Sequence, residues 1–96
     1  MNERVGIVEI DLSPIATPSD LQTLLAESLG FPDFYGHNWN AFWDAITGLV
    51  SMPHRLRFVG WHYFAKRLPQ EAQQLQDCLR DALSRYPDWS SSIEYA

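Results

Sequence analysis

The sequence predicts a small α/β fold, a three-stranded parallel sheet packed by about four helices in the order β-α-α-β-α-α-β. Three observations carry this expectation. Short β-branched runs stand near residues 4–12, 55–61 and 92–95, and helical periodicities fill the gaps between them. Strands separated by helices pair in parallel through right-handed crossovers. With 96 residues, 46% of them hydrophobic, the chain can fill one core, and residues 1–96 read as a single domain.

The first strand is RVGIVEIDL, in which Val8, Ile10 and Leu12 share one face and Glu9 and Asp11 the other. The next signal is a helix start. Thr17 can cap, Pro18 fits the first helical position, and Asp20 places a carboxylate at the positive end of the helix. Leu21, Leu24, Leu25 and Leu29 recur at helical spacing, and Gly30 ends the run. Pro32 follows, and FPDFYGH reads as a loop.

Asn38 is a cap candidate for a second helix, WNAFWDAITGLV. Trp39, Phe42, Trp43, Ile46, Leu49 and Val50 form its apolar stripe, and Asn40, Asp44, Thr47 and Gly48 the opposing one. After Pro53, RLRFVGW is a second strand with Leu56 and Phe58 facing inward, and HYFAKRL a short helix. From Pro69 a long helix runs to about Tyr86, with Ala72, Leu75, Cys78, Leu79, Ala82, Leu83 and Tyr86 on one face. Pro87 stops it, and Ser92–Tyr95 makes a last short strand.

Charge narrows the function classes. Twelve acids against seven basic residues give net −5, which disfavours direct binding to nucleic acid and favours steering of a basic protein. Residues 54–67 reverse the sign with Arg55, Arg57, Lys66 and Arg67. A single cysteine, Cys78, cannot form an internal disulfide, so a reducing compartment is expected. The opening stretch MNERVGIVEIDL lacks the apolar region of a secretory leader, and no apolar run approaches membrane-spanning length. The cytoplasm is therefore the expected location.

Catalytic signatures are weak. His37, His54 and His62 have no ligand spacing, the five glycines form no phosphate-binding fingerprint, and Cys78 falls on an apolar helix face. No cofactor, no metal and no enzymatic activity are expected. The unusual feature is the polar stripe of the second helix. Solvated helix faces normally carry long charged side chains, whereas Asn40, Asp44, Thr47 and Gly48 are short, and the glycine costs about 1 kcal/mol in a helix. A flat surface with one central acid suits close approach by another protein. The preceding Phe34-Tyr35-Gly36-His37 adds aromatic side chains of the kind interfaces favour.

The run Pro32-Asp33-Phe34-Tyr35-Gly36-His37-Asn38-Trp39-Asn40-Ala41-Phe42-Trp43-Asp44-Ala45-Ile46-Thr47-Gly48 resembles the core motif of the barstar family, inhibitors that neutralise a partner ribonuclease. The likeness is gapless here and extends more weakly over about residues 5–95. It implies that the loop and second helix enter a nuclease active site, with carboxylates standing where RNA phosphates would lie. By the motif, Asp44 resembles the acid that inserts deepest. Phe34, Tyr35, Gly36, Asn38, Trp39, Asn40, Trp43, Thr47 and Gly48 would line the same surface, and Asp81 resembles a second acid at the rim.

Three positions depart from the family pattern. Asn40 stands where the best-known member has an acid, Phe34 replaces a tyrosine, and Arg85 lies near another acidic position. The resemblance implies a monomer when free, and a basic toxin, a ribonuclease, bound one to one. Three other readings are an immunity protein of the same fold against a toxin that is not a ribonuclease, an enzyme or metal-binding regulator, and self-association through Trp39 and Phe34.

Overall fold

The computed structural model describes residues 4–96. Met1, Asn2 and Glu3, which begin the stretch read as lacking a leader, lie outside the described residues. The element order matches the expectation: β1 (Ile7–Asp11), α1 (Pro18–Leu29), α2 (Trp39–Asp44) continued by a π-helical turn (Ala45–Leu49), β2 (Arg55–Val59), α3 (Trp61–Arg67), α4 (Pro69–Arg85) and β3 (Ser92–Tyr95). The strands form one parallel sheet in the order β1-β2-β3. Val8 is in register with Leu56 and Ile93, and Glu9 with Arg57 and Glu94.

A monotonic strand order with two crossovers of the same hand puts both helix pairs on one face of the sheet. The burial pattern agrees. Ile10, Leu56 and Phe58 are buried beneath the helices, while Ile7, Glu9, Arg55 and Glu94 face solvent on the other side. On that open face Arg57 bridges its two register neighbours, at 2.6 Å from Glu9 and 3.2 Å from Glu94.

The local signals act as read. Thr17 Oγ1 accepts from the Asp20 amide at 3.1 Å, Pro18 opens α1, and Gly30 closes it in the left-handed region at φ 71°. Leu21 and Leu25 of α1 and Leu75, Leu79, Ala72 and Ala82 of α4 join the sheet residues in one core.

Two stripes are shorter than their spacing predicts. Leu49 is 50% exposed because α2 does not continue as an α-helix. The Val50 amide reaches the Ala45 carbonyl at 3.1 Å, five residues back, and the wider turn carries Leu49 off the apolar side. Leu83 and Tyr86 are 44% and 42% exposed although Ala82 in the same turn is buried, so the buried stripe of α4 follows Ala72, Leu75, Leu79 and Ala82. Cys78 is half-buried against the core.

Arg4, which no sequence pattern singles out, ties three segments together. Its guanidinium donates to the carbonyls of Met52 (2.6 Å), Pro53 (3.0 Å), Asp88 (3.0 Å) and Ser90 (3.1 Å), joining the start of the chain to the lead-ins of β2 and β3.

Candidate functional site

The loop between α1 and α2 is built by its own polar atoms. Asn38 Oδ1 accepts from the Ala41 amide at 2.7 Å, which caps α2, and Asn38 Nδ2 donates back to the Gly36 carbonyl at 3.1 Å. Gly36 lies close under this clamp. A Cβ there would stand 3.1 Å from Asn38 Nδ2 and 3.4 Å from Ala41 Cβ. His37 adopts φ 55°, uncommon for a residue with a side chain, and its ring lies against Tyr35 at 5.2 Å between centroids.

The loop and α2 leave several of the expected residues open to solvent. Phe34 is 76% exposed, and Gly36, Asn38, Asn40, Asp44 and Gly48 are exposed as well. Trp39, Trp43 and Thr47 are partly buried, the two indoles resting on the core and Trp39 meeting Phe42 edge-on at 5.3 Å. Thr47 Oγ1 donates to the Trp43 carbonyl at 2.6 Å, a back-bond that satisfies the hydroxyl as the α-helix gives way to the π turn. A groove of about 580 Å³ opens beside Thr47 and Gly48 and continues along Leu49, Tyr86, Trp89 and Arg4.

Tyr35 is the correction among the expected surface residues. It is 7% exposed, and its hydroxyl donates to Gln22 Oε1, a side chain that α1 buries in the same core. Its ring packs on Phe31 with centroids 4.8 Å apart. Tyr35 therefore holds the loop down and does not present its ring. Burial pushes its hydroxyl up to about 12, with the nearby Cys78 adding to the effect. Gln22 carried no signal in the sequence; a polar side chain directly beside the Leu21 position of α1 was the only hint.

The carboxylates fall into two groups. Glu9 and Glu94 are held by Arg57, and Asp77 receives Arg80 at 2.8 Å. Asp44 and Asp81 are exposed and take part in none of the ion pairs among the described residues. Their charge is thus free for an external cation. Asp81 lies on α4, which packs across α2, so both acids belong to the helix pair that carries the surface. Beside them Arg85 places its guanidinium carbon 5.8 Å from the centre of the Trp43 ring.

His54 and His62 are exposed and remote in the chain from the loop, and the described residues contain no group of three or more His, Cys, Asp or Glu able to hold a metal ion. Burial raises the Cys78 thiol, and Asp81 and Asp77 add to it, which opposes thiolate formation. No helix among the described residues is long and apolar enough to cross a membrane.

A one-sided α/β layer that offers a hydrogen-bonded loop, a helix and exposed acids outside the ion pairs suits a protein-binding module. The family model described as "Barstar (barnase inhibitor)" matches residues 5–94, and the chain belongs to that family. A Bacillus subtilis protein named "Putative ribonuclease inhibitor YrdF" is 31% identical over 64 residues, covering 67% of this chain and 70% of the relative.

Proposed function

We propose that this chain is a protein inhibitor that closes the active site of a ribonuclease with the face formed by its loop and α2. The observation that carries the reading is Asp44. It is exposed at the end of α2, joined to no cation among the described residues, and surrounded by the short side chains of Asn40, Thr47 and Gly48. A carboxylate so placed can enter a narrow cationic pocket without displacing its neighbours. There it meets the Arg, Lys or His groups that otherwise hold an RNA phosphate, in short charge-assisted bonds. Membership of the inhibitor family and likeness to a protein named as a ribonuclease inhibitor support the same reading.

In this reading the chain is not an enzyme. It acts in the cytoplasm as the immunity partner of a basic toxin, one molecule to one. Net −5 supports fast, steered encounter with such a partner. Phe34, Gly36, Asn38, Trp39, Trp43 and Asp81 contribute contact around the central acid, and Tyr35 supports them from below.

The test uses a ribonuclease recovered on the immobilised chain and an RNA-cleavage assay. Wild-type chain abolishes cleavage at stoichiometric amounts, and Asp44→Ala weakens inhibition by far more than tenfold. An Asp44→Ala chain that inhibits within threefold of wild type overturns active-site occlusion. Capture of a partner that does not cleave RNA assigns the fold to another toxin class.

A further inference from the structure

The surface that carries Asp44 also carries one cation, Arg85, and its placement is specific. It stands in the last turn of α4 with its guanidinium carbon 5.8 Å from the centre of the Trp43 ring, and Trp43 immediately precedes Asp44 in the chain. Trp43 is itself partly buried against the core, so the platform beneath the guanidinium is fixed. Asp81 lies one turn back on α4, at the spacing that allows an ion pair along a helix. Yet Arg85 joins none of the ion pairs among the described residues and turns to the indole instead. A guanidinium resting on an aromatic face keeps its N–H donors, and an exposed one directs them to whatever docks above.

We infer that Arg85, seated on Trp43, selects the partner: it admits a ribonuclease that presents a carboxylate beside its cationic centre and penalises one whose cleft rim is basic there. The inference rests on the occlusion reading above, because it takes the Trp43–Asp44 face as the contact surface. The surface is then bipolar. Asp44 demands a cation at the centre, and Arg85, over the ring of the preceding residue, an anion at the flank. Such a pattern favours one partner both by attraction at the matched pair and by repulsion at a mismatched one. At 5.8 Å from the ring centre the exposed guanidinium is held by one weak contact, so the penalty against a basic rim is the like-charge repulsion less what the side chain recovers by turning away.

The test takes barnase, the ribonuclease in the family's description, as a probe of a cationic cleft. Its RNA cleavage is titrated with wild-type chain and with Arg85→Glu, Arg85→Gln and Asp44→Ala, at low and at physiological salt. Thermal melting by circular dichroism confirms that each variant is folded, and Arg85→Gln carries the test should the charge reversal not fold. The expected result is that Arg85→Glu inhibits barnase at least tenfold more tightly than wild type. Arg85→Gln falls between them, and the gain shrinks as salt rises. Equal or weaker inhibition by Arg85→Glu, with Asp44→Ala still impaired, overturns the role of Arg85 and leaves occlusion standing. A gain at Arg85→Glu without a loss at Asp44→Ala supports selection by charge and overturns the central role of Asp44. Inhibition by none of the four chains overturns selection by Arg85, and occlusion is then judged on the ribonuclease recovered on the immobilised chain.

Discussion

The Tyr35 hydroxyl donates to Gln22 Oε1 inside the core, so the loop that leads into α2 is fastened to α1 by one buried bond. Gln22 is 3% exposed, so losing that donor leaves its buried carbonyl oxygen short of a partner. Tyr35→Phe keeps the ring and removes the hydroxyl. It is expected to destabilise the fold by about 1–3 kcal/mol, the cost of an unsatisfied buried acceptor. Urea unfolding of the two chains checks this. Replacing Gln22 with Leu in the Tyr35→Phe background should return part of the loss.

Burial of the same hydroxyl sets an alkaline limit. The Tyr35 hydroxyl is raised to about 12 in the fold against an ordinary value of 10.0. The unfolded chain therefore releases this proton first as pH rises. The stability it contributes is complete below about pH 10 and disappears as pH approaches 12. Unfolding free energies measured at pH 9 and pH 11 should fall further for wild type than for Tyr35→Phe. Parallel loss in both chains would assign the alkaline sensitivity to other groups.

Association with the ribonuclease should slow as ionic strength rises, while dissociation changes little. Long-range attraction between an acidic inhibitor and a cationic cleft is screened within about 10 Å at 0.1 M salt. Contacts desolvated in the complex are screened much less. Stopped-flow mixing across a salt series separates the two rates. A dissociation rate that carries the whole salt effect would contradict steering.

Arg4, which also lines the groove beside Thr47 and Gly48, predicts a structural defect. Four carbonyls from two segments, the lead-ins of β2 and β3, converge on its guanidinium. Arg4→Ala leaves the partly buried ones without a donor and should cost about 2–3 kcal/mol. Arg4→Lys should recover only a fraction, because an ammonium cannot reproduce the planar fork. Thermal melting of both variants decides it, and full rescue by lysine would show that charge alone matters.

Gly60 offers a backbone test. It adopts φ 72°, and a Cβ there would stand 2.8 Å from Ser13 Cβ and 2.9 Å from the Ser13 amide nitrogen. Gly60→Ala combines left-handed strain with a clash against backbone. It should destabilise by more than the ~1 kcal/mol of conformational cost alone. An alanine variant with unchanged melting would show that the β1–α1 loop yields freely.

The sequence by itself determined the strands, the helices and the parallel order, because each follows from nearest-neighbour physics. Alternation at Val8, Ile10 and Leu12 sets a strand face, and Thr17, Pro18 and Gly30 set the ends of α1 whatever lies around them. It also marked the polar stripe of Asn40, Asp44, Thr47 and Gly48, since spacing along a helix fixes which side chains share a side. Tertiary structure decided what spacing leaves open. An aromatic residue in a loop can point outward or inward, and Tyr35 turns in because α1 offers it Gln22, thirteen residues away. Leu49 reaches solvent because an i+5 bond closes the turn at Val50. Arg85 faces Trp43 because α4 crosses α2. Tyr35 and Arg85 depend on partners distant in the chain, and Leu49 on a five-residue closure, none of which a period of about 3.6 residues encodes.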